Sequence, residues 1–227
     1  MLAKHLSQEI ERYAERLQRE NRLLELARRG EVTLDIVVGY LSGVAFMLGR
    51  TEPHLERAAA RAREQGRPKL AEFYEHKRRE ETGHERWAQD DFSELRRLFG
   101  AAAAKPVPRA IVELARFLED AMDAAPASYL AYILFAEYLT VLVGPTWLTL
   151  LEERCGIPKR ALSAISKHVE LDVAHVDEGL REIDALITSA DAPALSRVLT
   201  HSMEAYDASY QALYDTHLSA APAPAAL

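Results

Sequence analysis

The sequence predicts an all-α protein, a single-domain helical bundle of about eight helices. Three observations carry this. Apolar residues recur at spacings of three and four along almost the whole chain, and no convincing alternating stretch reads as a strand. Prolines fall where periodic segments begin and glycines where they stop, the polarity that helices impose. The length, 227 residues, suits one domain, with no internal repeat of solenoid period.

The elements follow in order. A first helix is expected over 2–29, ending at Gly30 behind two arginines suited to a helix C-terminus. A second, 34–48, follows Thr33; its Gly39 and Gly43 suit either tight helix packing or room for a ligand. Thr51 can cap a third, with Pro53 in its first turn and an end near Gly66. Pro68 opens a long charged helix to Phe99, and "GAAAAKPVP" over 100–108 is the clearest connection. Helices over 108–124, 126–154, 158–188 and 193–217 start at Pro108, Pro126, Pro158 and Pro193. Gly144-Pro145 is expected to kink the 126–154 helix. The domain therefore spans 1–218, with a flexible tail over 219–227.

Composition excludes several classes. A net charge of −7 and no basic stripe with interleaved aromatics argue against nucleic acid as a partner. One cysteine, Cys155, permits no internal disulfide and suits a reducing cytoplasm. The N-terminus has no apolar run of signal-peptide length, so a cytoplasmic location is expected. The stretch 124–151 has the length of a membrane span, but Glu137 sits at its centre, where a lone carboxylate in lipid is costly. A buried core helix, not a membrane span, is the expectation.

Glu137 is the most informative residue. Leu130, Ile133, Leu134, Val141 and Leu148 share its face, and no positive residue lies within two turns. A buried carboxylate there must be protonated, paired with Lys or Arg from another helix, or bound to a metal. Unpaired, it would be a liability in the metal-free protein, so Glu137→Gln should not unfold it. Elsewhere, Glu81 and His84 form E-x-x-H, and "KHVELDVAH" puts His168, Asp172 and His175 on one helical face. Three segments thus offer three carboxylates and three imidazoles. This N/O set without thiolate suits Fe(II) or Mn(II) better than structural zinc. Six such ligands with one bridging carboxylate can hold two metals.

Here the chain resembles the haem-oxygenase-like diiron oxidases and oxygenases. The E-x-x-H, a Glu in a following apolar helix and H-x3-D-x2-H match that family's order. "EETGHERWAQDDFSEL" is similar to its first ligand helix, including the trailing Trp-x-x-Asp-Asp. The resemblance covers roughly residues 34–187. It implies a haem-oxygenase-like fold and O2 activation at non-haem iron, Fe(II)/Fe(III) with two ions, acting on a fatty acid, amino acid or amine. The ligands it implies are Glu81, His84, Glu137, His168, Asp172 and His175, with no catalytic residue beyond them. Glu137 would bridge; Asp172 and His175 would serve one iron, Glu81 and His168 the other, with His84 assigned to neither. One departure stands out. Some members place the first carboxylate seven residues before the His, and here that position is Lys77, so Glu81 or Glu80 must supply it. The nearer site is then weakened or empty, and His76 and Glu80 are at most supporting residues.

Other readings compete. A ferritin-like iron protein would use Glu52, Glu81/His84, Glu137 and Asp172/His175, leaving His168 surplus. Haem would need an axial histidine, with His5 or His54 available, each read as a surface residue. A thiaminase-like relative would need Cys155 as nucleophile, although packing explains it. A non-catalytic helical binding or scaffold protein would merely pair its acids. The expected partners are O2 and a small organic substrate, with a homodimer left open. Tyr40, Phe46, Phe73, Tyr74, Tyr129, Tyr132, Phe135 and Trp147 would line the substrate pocket or simply pack the core.

Overall fold

The computed structural model of the chain describes residues 2–100 and 105–220. Among them are nine α-helices, two short 3-10 turns and no strand. Residues 101–104 of the expected connection and 221–227 of the expected tail lie outside the described residues.

The first expected helix is two. Helix α1 (Leu2–Glu20) buries Leu6, Ile10, Tyr13 and Leu17 along one stripe. Asn21 then ends it by capping α2 (Arg22–Arg29), its side-chain oxygen accepting from the amides of Leu23 and Leu24 at 2.9 and 3.1 Å. Gly30, left-handed at φ 72°, closes α2. The next two expected helices are one, α3 (Leu34–Glu64), with Pro53 inside it. Thr51 is the reason the expectation failed. Its hydroxyl donates back to the Met47 carbonyl at 3.2 Å, as mid-helix threonines do, and does not cap.

The long charged segment is again two helices, α4 (Pro68–Glu81) and α5 (Glu85–Phe99). Gly83, at φ 90°, turns the chain between them, and its amide donates to Glu52 Oε1 at 3.3 Å. Helix α6 (Arg109–Ala124) leads through a 3-10 turn to α7 (Tyr129–Cys155), which runs unbroken through Pro145. The Gln18 amide donates to the Leu142 carbonyl beside that proline at 2.9 Å. Helices α8 (Ser163–Leu186) and α9 (Ala192–Ala220) complete the bundle. Residues 219–220 of the expected tail are thus helical.

Helix α7, apolar on all sides, is the central element, packed by α8, α1, α2 and α9, while α3 lies along α4, α5 and α6. Helices α3 and α7 are each long and apolar enough to cross a membrane, by length and composition only. In α7 most of the apolar window is buried within the bundle, as expected for a core helix. A Cβ on Gly144 would meet Val169 Cγ2 at 2.6 Å, so glycine there lets α7 and α8 approach closely. Of the two α3 glycines singled out in the sequence, Gly39 serves packing, since a Cβ would meet Leu213 Cδ2 at 2.8 Å. Gly43 borders a cavity.

Candidate metal centre

The end of α4, the middle of α7 and the first half of α8 meet beside that cavity. Glu81, the last residue of α4, is 8 % exposed. His84 is not on the same helix, contrary to the face argument for E-x-x-H. It lies past the Gly83 turn, at the head of α5, and its amide bonds the Glu81 carbonyl at 3.2 Å. The turn nevertheless returns its ring to Glu81, with Nδ1 3.0 Å from Oε2. From α8, His168 Nε2 stands 3.9 Å from the same oxygen.

A second group adjoins the first. His175 Nδ1 lies 3.6 Å from Glu137 Oε1 and 3.4 Å from Asp172 Oδ1. Donor atoms of Glu81, His84 and His168 all fall within 4.8 Å of one another, as do those of Glu81, Glu137 and His175. The six residues singled out in the sequence therefore form one continuous cluster. The carboxylate common to both groups is Glu81, however, not Glu137. Glu80, the alternative to Glu81, has Oε1 3.3 Å from His76 Nε2, and its buried Oε2 lies 3.5 Å from Lys77 Nζ and 3.9 Å from His175 Nε2.

Glu137 has a partner that the sequence could not place. Lys77, 1 % exposed, holds its ammonium 2.9 Å from Glu137 Oε1, 3.5 Å from Glu80 and 3.9 Å from Glu178. The expectation of an unpaired acid is corrected accordingly. The pairing arises because Lys77 lies one turn before Glu81, on the same face of α4, from which its side chain reaches Glu137 of α7 and Glu178 of α8.

Electrostatics divides the two carboxylates. Burial pushes the Glu137 carboxyl up to about 7, even with Lys77 opposing it. Burial also raises Glu81, but hydrogen bonds from His168 and His84 outweigh that and hold it well below the usual carboxylate range. Burial raises Asp172. His168 is depressed by burial yet raised overall by its bond to Glu81, and His175 is raised chiefly by Asp172.

Supporting contacts fix the rings. His168 Nδ1 faces the Ala164 carbonyl, which can only accept, so Nδ1 carries a proton and Nε2 is the nitrogen turned toward Glu81. Trp87 stacks on His84 at 3.9 Å between ring centroids. Asp91, 1 % exposed on α5, accepts from the Ser163 and Ala164 amides at 2.6 and 2.9 Å. It thereby caps α8 from outside and anchors the helix that carries three of the clustered residues. The Trp-x-x-Asp-Asp phrase thus has a structural reason that spacing alone did not show.

The residues fit a divalent ion in part. Donor atoms 3.0–3.9 Å apart around Glu81 match separations between ligands bound at about 2.0–2.2 Å. Asp172 Oδ1, Glu137 Oε2 and His175 Nδ1 are buried without a hydrogen bond, which a cation would relieve. Against a second ion stands the Lys77 ammonium, already beside Glu137.

The cavity, about 210 Å3, has a polar wall of Lys77, Glu81, Glu137, His168 and Asp172. Val44, Met47, Ile133 and Ala136 are among its apolar lining. Of the aromatic residues expected around it, Tyr40, Tyr129, Tyr132 and Trp147 line it, while Phe46 borders a separate groove. Phe73, Tyr74 and Phe135 pack the core. Tyr206 and Tyr210 of α9 also line the cavity and were not foreseen, because their distance in sequence from the ligand segments gives no signal.

The competing ligand sets are not gathered. Glu52 serves the α4–α5 turn and is outside the clustered donors. His5 is exposed, whereas His54 is buried, contrary to expectation, 3.5 Å from Glu119 and edge-on to Tyr129. The Cys155 thiol is half-buried and raised by burial, which does not favour a nucleophilic thiolate.

The bundle has a haem-oxygenase-like fold. It superposes with a TM-score of 0.81 on a protein of unknown function with that fold from Shewanella denitrificans OS217, at 16 % identity over 99 % of this chain and 98 % of that one. A CADD-like protein of unknown function from Nostoc punctiforme PCC 73102 matches at 0.70, with 15 % identity over 95 % and 98 %. A TenA homologue from Pseudomonas syringae pv. tomato DC3000 matches at 0.69, with 15 % identity over 95 % and 93 %. No family model and no curated protein matches the sequence.

Proposed function

We propose that this chain is a non-haem iron oxidoreductase that uses O2 on a small organic substrate held in the apolar cavity. The observation that carries the reading is the Glu81–His84–His168 group, of which Glu81 and His168 line that cavity, with the outer nitrogen of His168 engaged by a backbone carbonyl. Imidazoles that bind metals are oriented in this way, by a bond from their other nitrogen. Iron or Mn(II), if held there, would supply redox chemistry toward O2 at positions the protein leaves open.

The rest falls to the chain's own residues. Tyr40, Met47 and Ile133 would hold an apolar body and exclude water. Asp91 keeps α8, and with it His168, in register with Glu81. The Lys77 ammonium is already paired with Glu137, so the fatty acids, amino acids and amines that the resemblance implies all stand as substrate classes.

The test is anaerobic titration with Fe(II), read by thermal unfolding. Ligand at 100 times its Kd adds about 2.7 kcal/mol, a rise of roughly 5–10 °C for a domain of this size. O2 consumption on adding candidate fatty acids, amino acids or amines should then follow, and His84→Ala should abolish both. An unchanged melting temperature, or purification with bound haem, would refute the proposal. A scaffold protein, the second reading, is favoured only by the Lys77–Glu137 pair and predicts no metal-dependent stabilisation.

A further inference from the structure

We propose that the cluster takes one divalent ion, at Glu81, His84 and His168, and that the Lys77 ammonium fills the place of a second ion beside Glu137. This rests on the metal-centre reading above and narrows it, against the expectation of two ions.

Among the described residues, three triads of donors are close enough to hold a cation; His76, Glu80 and Glu178 form the more exposed one, and Glu81 belongs to both of the inner two. What distinguishes them is the charge already present. No lysine or arginine ion-pairs with the Glu81, His84 or His168 side chains among the described residues, whereas Lys77 Nζ lies 2.9 Å from Glu137 Oε1. An ion bound to that oxygen at about 2.1 Å would sit within about 5 Å of the ammonium, in a buried setting where like charges repel strongly. Glu80 and Glu178, at 3.5 and 3.9 Å, further hold the lysine in place.

Ligand preparation also differs between the inner triads. His168 has its outer nitrogen engaged by the Ala164 carbonyl and His84 is stacked on Trp87, while the outer nitrogen of His175 has only Glu80 Oε2 beside it, at 3.9 Å.

Equilibrium dialysis of the full chain with Mn(II), and under argon with Fe(II), tests this together with the Mn(II) electron paramagnetic resonance spectrum. One equivalent with the spectrum of an isolated ion is expected. His84→Ala should weaken binding at least about 100-fold, beyond the effect of losing a mere supporting contact, and His175→Ala by less than about 10-fold. Lys77→Glu should admit a second equivalent and give a spin-coupled spectrum. If circular dichroism shows that this variant does not fold, Lys77→Met removes the same charge and should admit the second ion more weakly. Two equivalents of similar affinity in the unaltered chain would overturn the inference while leaving the metal centre standing. So would one equivalent in a folded Lys77 variant, or equal losses from His84→Ala and His175→Ala. Binding of neither ion would instead refute the metal centre itself.

Discussion

Glu81 and Glu137 are both 8 % exposed and both stand beside imidazoles, yet they belong to different electrostatic regimes. Glu81 ends a helix, next to a glycine turn that brings in His84, and its carboxyl is held low by two ring nitrogens. Glu137 sits mid-helix in the most apolar element, and burial dominates even with an ammonium 2.9 Å away. Residue type is therefore a poor guide to role in this cluster. What each carboxylate faces, and how much water it has lost, decides whether it is poised for a cation or already satisfied.

The largest expected effect separates the two directly. Glu137→Leu leaves Lys77 buried without its nearest partner, and breaking a buried pair in this way costs about 3–5 kcal/mol. Adding Lys77→Met should recover most of the loss, since apolar replacements of a whole buried pair are often neutral or stabilising. Denaturant unfolding of the two single variants and the double variant reads this. Additive losses would show that the pair is not coupled.

Next is metal-dependent stabilisation. His168→Ala should remove essentially all of the Fe(II)-induced rise in melting temperature, about 3 kcal/mol for a loss near 100-fold in affinity. Its effect on the metal-free protein should be small by comparison. A variant destabilised equally with and without Fe(II) would place His168 in packing alone.

pH dependence sharpens the contrast further. The Glu137 carboxyl is raised from 4.5 to about 7, so its contribution is fully present below 4.5 and lost as pH rises through 7. That loss is on the order of 3 kcal/mol. His168 and His175, also raised, contribute below 6.5 and are lost as pH climbs through their folded values. Glu81 is depressed, so its contribution is present above 4.5 and lost as pH falls through its low folded value. Metal-free stability should thus peak near pH 5 and decline toward pH 8, and Glu137→Gln should flatten the decline. An alkaline limb unchanged by Glu137→Gln would show that the histidines alone produce it.

The smallest effect concerns the anchor. Asp91→Ala should cost about 1–2 kcal/mol by uncapping α8. It should also weaken metal binding, because His168 lies one turn from the capped amides. Unaltered metal affinity would mean that packing alone positions α8.

The helical periodicity, the Pro and Gly punctuation and the spacing of His168, Asp172 and His175 all operate within a few turns of one helix, so the fold class and most of the cluster could be read from the sequence. Asn21, Thr51 and Gly83 show where that reading ends. A cap, a back-bonded hydroxyl and a positive-φ turn redistribute helix boundaries through local hydrogen bonds that apolar periodicity does not register. Contacts between distant segments could not be read at all. Lys77 meets Glu137 across 60 residues and Asp91 reaches the α8 amides across more than 70, while Tyr206 enters the cavity from the far end of the chain. Each is fixed by how whole helices pack. Sequence therefore determined which groups were available to a cation, and tertiary packing decided which of them already has one, because Coulomb energy and desolvation depend on separation in space.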